Sequence, residues 1–157
     1  MAPLEQEIEF LTSYLRLEQM RFSNEFDFEI KTRNIKSASS TLLPPMIVQP
    51  FAENAIKHGF MNLKTKGFLS IVFEGVDKDV IKCTITDNGI GREKSQKTNN
   101  SVTKDDRLHS GRITEDRIQL FNSLNEPDKY KVVYTELKNN NEVCGLKVEL
   151  YLPMNKY

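Results

Sequence analysis

A strand pattern that ends in a carboxylate is the strongest constraint on how this chain folds. Between Val80 and Asp87 the apolar residues Ile81, Cys83 and Ile85 alternate with a lysine and threonines. Side chains two residues apart lie on the same face of a strand, so Asp87 continues the apolar face. A carboxylate that leaves water without finding hydrogen-bond donors is costly. The sequence therefore predicts that Asp87 is buried and has donors close to it.

Two glycines follow this carboxylate at once, in the run Asn88-Gly89-Ile90-Gly91. Glycine lets the backbone approach a ligand closely, so a buried acceptor beside it suggests a pocket for a flat ligand with an amino edge. A plain turn is the alternative, because Asn-Gly is typical of tight hairpins and Asp is common in turns. A hairpin requires a second strand immediately afterwards, however, and residues 92–100 show no apolar alternation.

Length and charge limit the classes of protein to which this chain can belong. At 157 residues the chain is expected to form one domain. Its formal net charge is zero, so we expect no nucleic-acid partner. Cys83 and Cys144 lie far apart without metal-ligand spacing, and both are expected to be reduced thiols. Neither a membrane-spanning apolar run nor a signal peptide is visible, and we expect a domain excised from a longer protein.

Apolar periodicity predicts three helices and five strands. The helical patterns cover residues 4–22, about 45–59 and 113–124, and the strand patterns cover residues 26–30, 68–74, 80–86, 130–137 and 145–152. Each strand has one apolar face, so we predict an α+β fold: a two-layer sandwich with helices on one face of a mixed, mostly antiparallel sheet. The first helix, with the apolar stripe Leu4, Ile8, Leu11 and Leu15, either packs on its own domain or continues from an upstream coiled coil.

The second helix has a polar face that suits phosphate chemistry. Asn54, Lys57 and His58 share one side of it at the spacing i, i+3, i+4. An amide oxygen is a ligand that Mg²⁺ accepts, and a lysine ammonium binds phosphate as a point charge. The alternative is a solvated helix face, which these residue types also suit.

The segment from residue 92 to 110 has only two apolar residues, Val102 and Leu108, so it is too polar to order itself by burial. A loop of this length inside a compact domain is typical of a lid or of a disordered segment. Ser110-Gly111 then precedes the third helix. Backbone N–H groups at such a helix start can hold phosphate oxygens, although a simple cap by Ser110 explains the pattern equally well.

In their order along the chain, these elements resemble the Bergerat-type ATP-binding fold shared by gyrase, a heat-shock chaperone, MutL and histidine kinases. Residues 49–59 resemble its N box, and residues 87–91 resemble its first glycine box. The similarity extends to sensor histidine kinases of the LytS type and covers nearly the whole chain. Further matching motifs are Leu4-Glu5-Gln6-Glu7, Tyr14-Leu15 and Arg21-Phe22 in the first helix, Pro44-Pro45-Met46 before the N box, and Ile113-Thr114-Glu115-Asp116-Arg117-Ile118 after the polar segment.

The resemblance implies a role for each candidate side chain. Asp87 would accept a hydrogen bond from the adenine amino group of ATP, and Asn54 would hold Mg²⁺ against the phosphates. Lys57 and His58 would lie near phosphate and ribose. Glu53 would assist removal of the proton from the phosphoacceptor.

Backbone roles are implied as well. Gly89 and Gly91 would form the pocket floor and the hinge of a lid. Ser110 and Gly111 would belong to a second glycine box. This box departs from the family pattern, because Ser110 stands where the family usually has glycine and Gly111 comes one position late. The departure favours the alternative of a degenerate, non-catalytic nucleotide-binding or interaction module with the same fold.

The resemblance also implies an organisation and partners. Residues 1–22 are expected to lead in from a dimerisation and phosphoacceptor segment outside this sequence, and residues 23–157 to form the ATP-binding domain, with a lid at about 92–110. The enzyme would be a protein-histidine kinase of a bacterial two-component system, anchored in the inner membrane with this domain in the cytoplasm. Expected partners are ATP, a response regulator receiver domain and, in a homodimer, the protein's own phosphoacceptor domain. Neither His58 nor His109 has an acceptor's context, so the chain alone is expected not to autophosphorylate.

Overall fold

The computed structural model describes residues 1–61, 63–91, 114–120, 122–124 and 129–156. Its helices are α1 (Leu4–Arg21), α2 (Gln49–Asn54), which continues as a π-helical turn (Ala55–Gly59), and α3, formed by residues 114–120 and 122–124. Its strands are β1 (Ala2–Pro3), β2 (Phe26–Arg33), β3 (Thr41–Leu43), β4 (Gly67–Gly75), β5 (Val80–Asp87), β6 (Lys131–Asn139), β7 (Glu142–Pro153) and β8 (Asn155–Lys156). Within these ranges, no helix is both long and apolar enough to cross a bilayer.

The main sheet has five strands in the order β2-β4-β5-β7-β6. β2 and β4 are parallel, and the other three pairs are antiparallel, as predicted for a mixed, mostly antiparallel sheet. A tight turn joins β6 to β7, with Asn140 and Asn141 at φ values of 52° and 63°. Asparagine tolerates this left-handed backbone better than most residues, which explains why the asparagine run closes the hairpin.

A second, three-stranded sheet in the order β1-β3-β8 was not predicted. It joins the start of α1 to the chain just before the N box, because Ala2 pairs with Leu43 and Pro3 pairs with Leu42. Strands of two or three residues are too short to show an alternating pattern, and only tertiary contact reveals them.

The core lies between the main sheet and the helices. Leu69, Ile71 and Phe73 of β4 are fully buried, as is the apolar face of β5. Leu11 and Leu15 of α1 are equally inaccessible to solvent. The first helix therefore packs on its own domain, which answers the question that its sequence left open.

Three predictions of element boundaries and faces were wrong. The N-box helix begins at Gln49 rather than at residue 45 or 46, because Met46 has a left-handed φ of 53° that interrupts any helix. β7 begins at Glu142 and not at residue 145, since the chain enters the ladder directly from the turn. In α3, Ile118 is buried, whereas Leu120 and Leu124 of the apolar pattern are 60% and 73% exposed.

Paired leucine truncations test the packing of α1. Leu11 is fully buried and Leu17, on the same helix, is 65% exposed. We expect Leu11→Ala to lower the free energy of unfolding by about 2–5 kcal/mol, through lost burial and a residual cavity. Leu17→Ala should change it by no more than about 0.5 kcal/mol. Equal, small effects of the two changes in urea titrations would mean that α1 does not belong to the folded core.

Candidate functional site

Asp87 ends β5 on its buried face, as the alternation predicted, and is only 6% exposed. Its Oδ1 accepts a hydrogen bond from the Gly89 N–H at 2.8 Å. Burial raises the pKa of the Asp87 carboxyl to about 6, while the backbone N–H groups of Gly89 and Leu146 act to lower it. Near neutral pH the group is therefore mostly ionised and able to accept a hydrogen bond.

Glycine backbones bring the end of the N box against the glycine box. A Cβ added at Gly89 would lie 2.4 Å from the Gly59 carbonyl oxygen, so no other residue fits without moving the chain. The same carbonyl accepts a hydrogen bond from the Ile90 N–H at 3.0 Å. A Cβ at Gly59 would lie 3.3 Å from the Asp87 Oδ1. The last residue of the N box and the buried carboxylate are thus direct neighbours.

Two residues of this arrangement were missed from the sequence. A Cβ at Gly145 would lie 2.1 Å from the Asp87 carbonyl oxygen, so this glycine lets β7 approach the end of β5. The Asn88 side chain accepts from the Phe68 N–H at 2.6 Å and donates to the Lys66 carbonyl oxygen at 3.1 Å. A glycine in a strand is a recognised sign of close backbone approach, and Gly145 stands at the first position of the predicted strand 145–152.

Gly91 has a left-handed backbone, with φ of 81°. A Cβ there would lie 2.4 Å from the Cγ1 of Val143, so both conformation and space require glycine at the last position of the glycine box. This fits a position where the chain turns sharply as it leaves the sheet.

The polar face of the N box carries an ion pair and two partly buried side chains. The Lys57 ammonium contacts the Glu53 carboxylate one turn earlier, and both groups are substantially exposed. Such i, i+4 pairs contribute only about 0.3–0.5 kcal/mol, so an anionic ligand competes easily for the lysine. Asn54 and His58 are partly buried on the same helix. On the opposite face Val48, Ala52 and the other predicted apolar positions are buried, as predicted.

A cavity of about 670 Å³ lies beside the end of the N box. Lys57, His58, Phe22, Phe26 and Phe60 are among its lining residues, and Asp87 is not. The rings of Phe26 and Phe60 stack with their centroids 5.6 Å apart. We do not assign the predicted nucleotide site to this cavity, because the buried Asp87 carboxylate does not line it.

Part of the predicted site lies outside the described residues, namely Ser110, Gly111 and the expected lid at about 92–110. Among the residues that the structure does describe, no group of three or more His, Cys, Asp or Glu side chains is arranged to hold a metal. Asn54, the predicted Mg²⁺ ligand, would supply a single amide oxygen. A Mg²⁺ ion fits such a position only if phosphate oxygens and water complete its coordination, as is usual for this ion.

The raised pKa of Asp87 predicts a pH-dependent stability. The ordinary pKa is 3.8 and the folded value is about 6, so between these values the folded state binds more protons than the unfolded state. The free energy of unfolding should therefore fall on the order of 2–3 kcal/mol as pH rises from about 4 to 6, then level off.

Denaturant titrations across this pH range, without nucleotide, measure the effect. Asp87→Asn keeps an acceptor oxygen for Gly89 and should remove this fall. The exposed turn residue Asp77 provides the control Asp77→Asn, which should keep the wild-type profile. Identical profiles for the wild type and Asp87→Asn would show that the carboxyl is not desolvated.

Comparison with curated proteins finds LytS. The chain is 35% identical over 95 residues to the sensor protein LytS of Bacillus cereus, a match that covers 60% of this chain and 15% of LytS. It is 32% identical over 88 residues to LytS of Staphylococcus epidermidis, covering 56% of this chain and 14% of LytS. The matched part is thus a small fraction of these relatives. No family model matches the chain.

Solved structures of histidine kinases have the same fold. The mycobacterial sensor histidine kinase MprB superposes with a TM-score of 0.61 at 15% identity, covering 96% of this chain and 95% of that one. The catalytic domain of the histidine kinase ThkA gives 0.57 at 12% identity, with 96% and 93% covered. Full-length ShkA in complex with AMPPNP gives 0.59 at 14% identity, with 99% and 31% covered. The chain is thus similar in sequence to part of the LytS sensor proteins and shares the fold of these histidine kinase structures.

Proposed function

We propose that this chain is the ATP-binding catalytic domain of a bacterial two-component sensor kinase. It positions Mg·ATP so that the γ-phosphate is transferred to a histidine outside this sequence. The observation that carries the proposal is the buried Asp87 carboxylate, held 2.8 Å from the Gly89 N–H and beside the last residue of the N box. The AMPPNP bound in the ShkA structure supports a nucleotide site in this fold.

The proposed chemistry is mainly one of positioning and charge neutralisation. Asp87 selects adenine, because an ionised carboxylate accepts from the exocyclic amino group. Asn54 would hold Mg²⁺ through its amide oxygen, and the ion would neutralise phosphate charge. Lys57 leaves Glu53 for the phosphates, and His58 lies near phosphate and ribose. Glu53, released from its ion pair, is then available to take a proton from the acceptor.

The wider context is proposed on the same basis. The whole protein would dimerise through its phosphoacceptor domain, pass the phosphoryl group to a response regulator receiver domain, and be anchored in the inner membrane with this domain in the cytoplasm. Gly89, Gly91, Ser110 and Gly111 would contact the nucleotide through their backbone. The second candidate function, a non-catalytic module of the same fold, is favoured by Ser110 in place of a family glycine.

Nucleotide selectivity tests the adenine assignment. Guanine presents an acceptor oxygen where adenine has its amino group, so the chain should bind ATP and ADP and bind GTP poorly. Asp87→Ala should cost roughly 1–3 kcal/mol, about five- to 150-fold in affinity, by leaving a buried donor unpaired. Asp77→Ala, at an exposed turn, serves as the control in calorimetric titrations. Equal affinities for ATP and GTP would contradict the assignment.

Asn54 should matter only when the metal is present. Asn54→Ala should weaken Mg·ATP binding by an estimated 1–3 kcal/mol and leave ADP binding in the presence of EDTA nearly unchanged. Asn139→Ala, on the exposed end of β6, should alter neither affinity. Calorimetry with and without Mg²⁺ distinguishes the outcomes. An equal loss in both conditions would mean that Asn54 supports the fold and not the ion.

A further inference from the structure

Three sequence motifs outside the ATP-binding boxes meet at one peptide group. The first comes from α1, where Glu7 is a buried carboxylate, only 4% exposed. Its Oε2 accepts a hydrogen bond from the Met46 N–H at 2.9 Å, 39 residues further along the chain. The Val48 N–H also acts to lower the pKa of this carboxylate. A side chain of the first helix thus binds the backbone that leads into the N box.

The opposite side of the same peptide group is held by α3. The Arg117 Nη2 donates to the Pro45 carbonyl oxygen at 3.0 Å. This carbonyl and the Met46 N–H belong to one peptide unit, so Glu7 and Arg117 bind its two ends. We call this arrangement the Pro45–Met46 clamp. It joins α1, the N-box helix and the helix that follows residues 92–113.

The clamp explains an unusual backbone conformation. Met46 has a φ of 53°, which residues other than glycine rarely adopt unless the surrounding structure holds them there. Its side chain is 52% exposed, so packing does not hold it. The hydrogen bonds from the two neighbouring helices are therefore the restraint.

The clamp also lies at the start of the helix that carries the proposed site. Val48 is the residue before the first turn of α2, and its own side chain makes no capping hydrogen bond. The first N–H groups of a helix lack intrahelical partners, and a negative charge is favourable there. Glu7 supplies an acceptor oxygen to the Met46 N–H, two residues before Val48. Asn54 lies six residues beyond Val48, about 9 Å along a rigid helix, so a shift at the cap is carried to it.

Burying the Glu7 carboxylate is unfavourable for stability, so a stabilising role does not explain its position. Burial raises its pKa, and this is opposed by the Met46 and Val48 N–H groups and by the Arg117 guanidinium. The second oxygen, Oε1, is buried without a hydrogen-bond partner within the described part of the chain. A buried oxygen without a hydrogen bond destabilises the fold. We therefore interpret Glu7 as a residue that holds the backbone in position.

We propose that Glu7 and Arg117 are positioning residues, which couple α1 and α3 to the nucleotide site by fixing the Pro45–Met46 peptide at the start of the N-box helix. This rests on the proposed function for its link to nucleotide. The sheet β1-β3-β8 stiffens the junction, since Pro3 pairs with Leu42, and the Glu5 N–H donates to the Ala38 carbonyl oxygen at 3.2 Å. A movement of α1 relative to the sheet would thereby change the position of the N-box side chains.

Amide exchange in the nucleotide-free chain tests the clamp itself. Glu7→Ala should speed exchange across residues 46–59 by about tenfold or more relative to the centres of β4, β5 and β7. Glu7→Gln keeps one acceptor oxygen and should have a smaller effect in the same place. Arg117→Gln should loosen the same residues. The controls are Glu9→Gln, on an exposed site two residues from Glu7, and Asp116→Asn, next to Arg117.

A rise in exchange that is uniform over sheet and helix, or none at all, would overturn the clamp. ADP affinity then tests the coupling. We expect a loss of about five- to 50-fold in Glu7→Ala and Arg117→Gln, with a double variant no worse than about the larger single loss, because both act on one peptide. Selective loosening of residues 46–59 with unchanged ADP affinity would refute the coupling. If the wild type fails to bind ADP, the proposed function fails, whereas the exchange experiment still decides the clamp.

Discussion

The contact between the Asp87 carboxylate and two glycine backbones is the constraint on which the rest of the site depends. A charged group at the buried end of β5 must be given a donor, and the Gly89 N–H provides one at 2.8 Å. That donor reaches the carboxylate while the Gly59 backbone passes directly beside it, which leaves no room for a side chain at Gly89. Gly145 extends the requirement to β7. Close backbone packing around the end of β5 thus requires glycine at Gly89 and Gly145, and the carboxylate itself lies beside Gly59.

The N-box helix is consequently held at both ends. At its C-terminal end the Gly59 carbonyl oxygen accepts from the Ile90 N–H, which ties the helix to the glycine box. At its start the Pro45–Met46 peptide is bound from α1 and from α3. The contacts at the two ends of the helix therefore set the position of the polar side chains between them. Such an arrangement suits a site in which catalysis depends on where charges are placed.

Local periodicity was sufficient to predict the parts of the site that lie in regular elements. The alternation through Ile81, Cys83 and Ile85 placed Asp87 on the buried face, and the buried side of the N box was also predicted correctly. Features made by tertiary contact were not predictable in this way. Met46 adopts its left-handed φ because groups far away in sequence bind its peptide, so the helix start was placed too early.

Two overlooked residues did carry a signal in the sequence. Glu7 falls within the apolar stripe of α1, three residues after Leu4 and four before Leu11, where a solvated carboxylate is not expected. Gly145 stands at the first position of the predicted strand 145–152. A charged residue at a position that periodicity assigns to the core, or a glycine in a strand, indicates a contact that periodicity cannot describe. The chemical roles of Asn54, Lys57 and His58 came from the family resemblance, since a polar helix face alone does not distinguish a ligand site from a solvated surface.

A crystal structure of the chain with ADP tests the central claim most directly. The account predicts that the adenine amino group lies about 3 Å from the Asp87 carboxylate, at ordinary hydrogen-bond distance, with the ring against the Gly89 backbone. Asp87 should keep its contact with the Gly89 N–H, because the protein's own donor and the ligand bind different lone pairs. ADP bound elsewhere, for example in the cavity beside Phe26 and Phe60, with Asp87 facing no ligand, would contradict the account.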